Sequence, residues 1–348
     1  MRRLPAALAA LVLLVVAAAC SGDSGGTRPA AAGRVPTTVR LGYFPNITHA
    51  TAIVGVESGI FAGALGADRL HTQTFSAGPA AVEALLSGAL DASYIGPNPT
   101  INAFVKSHGE AIRIISGATS GGASLVVKPG IDGASALKGR KVASPQLGGT
   151  QDVALRYWLE QAGLRTDPQG GGDVSIVPQD NAQTLETFKT GAISGAWVPE
   201  PWATRLVLEG GGKVLVNEAD LWPRHRFVTT HLVVRTQFLR EHPAAVQSLI
   251  EGQVKANDFV NSKPAEAQRL VNSGIGRITG KTLSEAVITA AWKNLEFTDD
   301  PVASSLLLSA QHAQAVGLLD AVRLDGIYDL RFLNMALRSA GEAEVHAT

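Results

Sequence analysis

The sequence is poor in the residues that would signal most kinds of chemistry. One cysteine, Cys20, stands in 348 residues, so no disulfide can form within the chain. No group of His, Cys, Asp or Glu has the spacing of a metal site, and His49 and His231 are isolated; neither a metal nor a cofactor is expected. An excess of either charge is also missing. Lys+Arg and Asp+Glu number 30 each, which argues against nucleic acid as a partner, since that partner demands a basic surface. Aromatics are scarce at 5%, so two tryptophans five residues apart, Trp197 and Trp202, attract notice. Long apolar runs are lacking too: Leu8 to Val16 is too short to span a bilayer comfortably.

What is present is a large capacity for burial. At 348 residues with 45% hydrophobic side chains, the chain suits two lobes better than one small core. Its first residues read as a targeting segment. Arg2 and Arg3 precede the apolar run, and Ala17, Ala18 and Ala19 lead to Cys20. That arrangement resembles a bacterial lipobox, with Ala17 where leucine is usual; it implies a signal peptide over 1–20 and a lipid anchor on Cys20. The same alanines also fit plain cleavage and secretion. Residues 21–35 are Gly-, Ser- and Ala-rich and read as a flexible tether.

From residue 36 short apolar strands alternate with helical patterns, the signature of an α/β sheet clothed by helices. Strands are expected over 39–44, 70–75, 89–96, 111–118 and 124–130, then over 137–145, 174–178, 193–198, 213–217 and 231–239. From about 242 to 340 the pattern is helical. An internal repeat organises this series. Glu83–Pro97 aligns without gaps on Glu186–Glu200 at an offset of 103, matching Gly88 to Gly191 and Tyr94 to Trp197. The reading is two similar lobes, 36–125 plus 231–348 for the first and 126–230 inserted as the second.

Ligands of open α/β sheets bind beyond the carboxyl ends of the strands. Four polar loops occupy that place. They offer Asn46, Thr48 and His49; Ser76 and Gly78; Gly96, Asn98 and Thr100; and Gln146, Gly148, Gly149 and Thr150. Each leads into a helix start, where unpaired backbone N–H groups and the helix dipole attract an anion without Lys or Arg. The alternative is that Thr48, Ser76, Thr100 and Thr150 only cap their helices. In GAISGAWVPEPWATRL (191–206), Trp197 and Trp202 form an apolar ligand wall, close as a lid, or pack in the core. Glu200 either takes a ligand ammonium or pairs with Arg205 or a hinge cation. Arg224 and Arg226 in WPRHRF either reach an anion or lie on a solvated hinge.

The segments GYFPNITHATAIVGVESGIF, FSAGPAAVEALLSGALDASYIGPNP, ALKGRKVASPQLGGTQDVALRYWLEQAGL and TLETFKTGAISGAWVPEPWATR resemble solute-binding proteins of bacterial ABC importers of the nitrate/sulfonate/taurine type. The resemblance covers about 37 to 260. It implies a type II periplasmic-binding-protein fold whose two lobes close by hinge motion on a small oxyanion. It implies a monomer that hands the ligand to a permease and its ATPase, held on the extracytoplasmic face of the cell membrane by its lipid anchor. Alkanesulfonates and taurine come first as ligands, then nitrate or bicarbonate, then a thiamin-precursor pyrimidine. In taurine-type relatives an acidic residue before proline, Glu200 here, takes the ammonium. Two other classes are weighed: an enzyme on this fold, for which no Ser or Cys stands beside a plausible base, and a sensor or adhesin.

Overall fold

The computed structural model describes residues 36–347. The expectations for the leader, Cys20 and the tether lie outside these residues. Among the described residues no helix is long and apolar enough to cross a membrane.

Two sheets share one plan. In the first, β1 (Thr38–Tyr43) lies parallel to β2 (Arg69–Thr74) on one side and to β3 (Ala92–Ile95) on the other. Antiparallel β10 (Val228–Arg235) separates β3 from β4 (Ile112–Gly121), and β11 (Leu295–Phe297) pairs with the far edge of β4. The order is β11-β4-β10-β3-β1-β2. In the second, β6 (Lys141–Ser144) lies parallel between β7 (Ser175–Pro178) and β8 (Gly195–Pro199), and antiparallel β5 (Ala123–Val127) separates β8 from β9 (Lys213–Asn217). The order is β7-β6-β8-β5-β9. In each sheet four strands run parallel, β1, β2, β3 and β4 in the first and β6, β7, β8 and β9 in the second, and one antiparallel strand, β10 or β5, is set between two of them next to the point where the chain passes between the lobes.

The repeat extends further than its sequence signal. Helix α3 (Gly78–Leu86) corresponds to α6 (Asn181–Lys189) residue for residue at the offset of 103, and β3 falls within β8. Both helices stop at a glycine with positive φ, 75° at Gly88 and 79° at Gly191. That left-handed conformation is cheap only without a Cβ, so each glycine ends its helix and releases the chain into the next strand.

Some boundaries move. The lobes exchange at Gly121–Gly122 and again just before Val228, so 123–125 belong to the second sheet and 228–230 to the first. The return strand ends at Arg235, because Thr236 N–H bonds to Ala111 O and the chain turns into α8 (Thr236–Glu241). The loop expected over 96–100 is the first turn of α4 (Pro97–Lys106), where a proline at the start costs no hydrogen bond. Strand β11 interrupts the helical C-terminal third. Three residues are too short to register a period-two pattern.

The C-terminal helices α9 (Pro243–Ser262), α10 (Pro264–Thr279), α11 (Glu285–Trp292) and α13 (Arg331–Ala340) pack on the first sheet with α1 (Ala50–Glu57) and α2 (Ile60–Leu65). Helices α3, α4 and α12 (Ala303–Ala315) cover its other face. In the second lobe α5 (Thr150–Gln161) packs on one side, and α6 and α7 (Trp202–Leu208) on the other.

One buried group makes stability depend on pH. Glu218, just after β9, is 1% exposed; its Oε2 accepts the Trp197 indole N–H at 2.6 Å and its Oε1 has no partner. Burial raises its pKa from the ordinary 4.5 to about 7. Below about pH 4.5 the carboxyl is protonated both folded and unfolded. Between there and about 7 only the unfolded chain releases the proton, so stability falls as pH rises, by about 3 kcal/mol in all. Glu218→Gln cannot titrate and is expected to lose less stability between pH 5 and pH 8 than the parent. Parallel urea-denaturation profiles for the two proteins over that range would refute this.

The candidate ligand cavity between the lobes

A narrow cavity of about 40 Å³ opens where the two sheets face each other. Five helices begin around it. Asn46, Thr48 and His49 lead into α1; Ala77 and Gly78 open α3; Gly96 precedes α4; Gly149 and Thr150 open α5; and Asn181 opens α6. In none of the five does a side chain cap the first turn. A helix start without a cap keeps unpaired N–H groups and a partial positive charge. The alternative reading of Thr48, Ser76, Thr100 and Thr150 as caps is therefore set aside.

No Asp, Glu, Lys or Arg lines the cavity. His49, 3% exposed, is the one titratable side chain in its wall, and burial lowers its pKa to about 3, so it is neutral near pH 7. Its Nδ1 accepts the Phe44 backbone N–H at 3.3 Å, and the two rings stack with centroids 4.4 Å apart. The Nδ1 bond assigns the imidazole proton to Nε2, which has no protein partner, so His49 offers the cavity a neutral donor. Thr230 Oγ1 and Asn181 Oδ1 are also buried in residues of the wall and lack partners. Buried polar atoms are rarely left this way unless a ligand or water completes them.

Of the residues expected from sequence, Asn46, Thr48, His49, Ser76, Gly78, Gly96, Gln146, Gly149 and Thr150 line this cavity. Five do not. Asn98 turns away and donates to Ser309 O at 3.1 Å, and Thr100 donates to Gly96 O at 2.8 Å. Gly148 sits behind the wall, its N–H bonded to Asp152 Oδ2 at 3.0 Å.

Trp197 is a correction. It is fully buried in the second lobe's core, edge-on to Trp158, and its N–H is taken by Glu218. Its repeat partner Tyr94 is equally buried, with its hydroxyl bonded to Gln253. Both aromatics belong to the sheet cores and not to the cleft.

Glu200 is the second correction. It is 1% exposed and accepts from Thr204 N–H at 3.1 Å, Thr204 Oγ1 at 3.0 Å and Asn294 Nδ2 at 2.7 Å. It holds the start of α7 and ties the second lobe to the segment before β11. It meets neither ligand space nor Arg205, whose guanidinium forks onto Glu209 at 3.0 Å. Arg226 forks onto Glu296 at 3.0 and 2.8 Å, and neither it nor Arg224 reaches the cavity.

Sequence reasoning missed Gln151, Asn181, Pro199, Thr229 and Thr230 in the wall. The repeat held a signal for three of them. At the offset of 103, Thr48 corresponds to Gln151, Gly78 to Asn181 and Gly96 to Pro199.

The lobes touch across this cleft. Trp202 Nε1 donates to Asn46 Oδ1 at 2.9 Å, and a Cβ added at Gly96 would lie 2.4 Å from Thr150 Oγ1. On the far side of α5, Tyr157 stacks on His312 of α12 with centroids 3.7 Å apart. A broader groove of about 850 Å³ adjoins the cavity and shares Asn46, Ser76 and Asn181 with it. Its walls include Leu185, Trp202, Arg205, Ile275 and Leu283.

Residues 32–275 match the model of the NMT1-like family. A Brucella abortus chain described as a binding protein is 28% identical over 234 residues, 66% of this chain and 69% of that one. The bicarbonate-binding protein CmpA of a Synechococcus species is 24% identical over 257 residues, 66% of this chain and 55% of that protein. Among solved structures, the alkanesulfonate-binding protein SsuA of Xanthomonas axonopodis, bound to MOPS, superposes with a TM-score of 0.67 at 18% identity, covering 83% of this chain and 96% of that one. The architecture is the type II periplasmic-binding-protein fold: two α/β lobes, a hinge and a cleft between them.

Proposed function

Because the chain belongs to the NMT1-like family, we propose that it is the solute-binding protein of an ABC importer and captures a small oxyanion by hinge closure. Its relatives named above are binding proteins, and it is a binding protein and not an enzyme. One observation carries the ligand class: five uncapped helix starts meet around a cavity with no carboxylate and no cation. Such a wall favours negative charge through backbone N–H groups and neutral donors alone. It offers a ligand ammonium no acid, since Glu200 is engaged elsewhere.

The adjoining groove supports an alkanesulfonate whose head enters the cavity and whose tail extends along Trp202 and Leu283. A bare ion such as nitrate or bicarbonate is the second reading, favoured by the small volume of the inner cavity. The closed protein would pass its ligand to a permease and its ATPase. Cys20 is read as the lipid anchor on the extracytoplasmic face; Cys20→Ser should then release the protein from the membrane fraction.

Thermal unfolding with a ligand panel tests the function. The panel holds ethanesulfonate, longer alkanesulfonates, taurine, nitrate, bicarbonate and a hydroxymethylpyrimidine. A ligand at a hundred times its Kd adds about 2.7 kcal/mol, a shift of several degrees. A shift with one or more anions and none with the pyrimidine is expected. A shift with the pyrimidine alone would overturn the oxyanion reading.

A further inference from the structure

Asn46 stands before the short helical turn Ile47–His49, where an asparagine ordinarily folds its Oδ1 back onto a backbone N–H of the turn. It makes no such cap. Instead its Oδ1 accepts the indole N–H of Trp202 at 2.9 Å, from α7 of the other lobe. An indole nitrogen only donates, so the atom facing it is the carbonyl oxygen, and the amide nitrogen Nδ2 is left as a donor without a protein partner. Asn46 lines both the inner cavity and the outer groove, whereas Trp202 lines only the groove. The indole is itself held in place. The Arg205 guanidinium lies 4.6 Å from its ring centroid, and Glu209 fixes that guanidinium.

We propose that Trp202 is a positioning residue that acts through Asn46. On closure its N–H takes the Asn46 carbonyl, turns the amide N–H₂ toward the bound oxyanion and leaves the first turn uncapped. The contact joins residues of opposite lobes, so the donor is set only in the closed protein. An open protein leaves Asn46 free to present either end of its amide, and a closed one selects for an acceptor ligand. The proposal rests on the oxyanion reading above and names one residue pair that would enforce it.

The test is a double-mutant cycle read by titration calorimetry with ethanesulfonate, on the parent protein, Trp202→Phe, Asn46→Ala and the double variant. Trp202→Phe keeps an aromatic ring beside Arg205 and deletes the donor, and the Asn46→Ala background separates the lost donor from the lost ring area. It is expected to weaken binding about tenfold in the parent and less than about twofold in the Asn46→Ala background. Asn46→Asp keeps the acceptor for Trp202 but removes the donor and adds a charge. It should lose binding by more than about a hundredfold while the ligand-free thermal midpoint stays within about 2 °C. Equal losses from Trp202→Phe in both backgrounds, or no loss in the parent, would overturn the proposal and leave the oxyanion reading standing. A parent protein that fails to bind ethanesulfonate or any other anion of the panel would remove both.

Discussion

Gly96→Val is expected to lower anion affinity about tenfold to a hundredfold while the ligand-free protein unfolds within about 2 °C of the parent. The backbone at Gly96 is extended, φ −74° and ψ 165°, so any residue adopts it without strain. The obstacle is the facing lobe. A Cβ at this position would sit 2.4 Å from Thr150 Oγ1 and 3.4 Å from the Thr229 carbonyl. Thr150 begins α5 in the second lobe, and its β-branched side chain has few rotamers with which to move aside. Opening the hinge relieves the Thr150 clash, so the folded lobes persist and only closure is blocked. Overpacking of this kind costs about 1–3 kcal/mol, and a hundredfold in Kd is about 2.7 kcal/mol. Calorimetry for affinity and small-angle scattering for compaction on ligand addition would check both halves. A variant that binds and compacts like the parent would show that the contact is not part of the bound state.

Asp152→Ala is expected to cost about 3–5 kcal/mol, the largest loss of stability from any single change considered. Asp152 has no exposed surface. Its Oδ1 accepts from Ser144 Oγ at 2.7 Å, and its Oδ2 from Gly148 N–H and Arg156 Nε, each at 3.0 Å. Arg156 is 1% exposed and already leaves one guanidinium nitrogen without a partner. Removing the carboxylate strands a buried cation, and that uncompensated charge dominates the cost. Replacing both residues by leucine should cost less than Asp152→Ala alone, because no charge is then left behind. For a domain of this size the single change corresponds to a drop on the order of 10 °C in Tm. Affinity should fall as well, since Asp152 anchors the loop that brings Gln146, Gly149 and Thr150 to the cavity. Urea denaturation measures the first effect. A change under about 1 kcal/mol would mean that Arg156 finds another counter-charge or reaches water.

The sequence shows the alternation of strand and helix because most strands of this fold are short apolar runs between polar turns, the edge strand β2 being a polar exception. It shows the cavity loops for a related reason: the polar residues after each parallel strand stand at helix starts. The repeat is more informative than its few identities suggest. Asn46 and Gly149, Thr48 and Gln151, Gly78 and Asn181, and Gly96 and Pro199 are all related by 103 and all line the cavity. What the sequence hides is the direction of side chains in a strand buried on both faces. Gly195–Pro199 is buried throughout, so no alternation reveals that Trp197 faces the core. Glu200 was obscured by the opposite problem. Its partner Asn294 is 94 positions away and belongs to the other lobe, and only the folded chain brings the two together. The same is true of Trp202 and Asn46, 156 positions apart.

The most direct test of the central claim, that an uncharged cavity built from helix starts selects an oxyanion, is calorimetric titration with matched ligands. Ethanesulfonate and nitrate would be compared with ethyl methyl sulfone, a neutral molecule of similar shape to the sulfonate. At least one anion should bind, with the sulfone at least about a hundredfold weaker, since its oxygens lack the charge that the helix dipoles stabilise. A sulfone that binds as tightly as the tightest anion would contradict the claim, because shape alone would then account for the site.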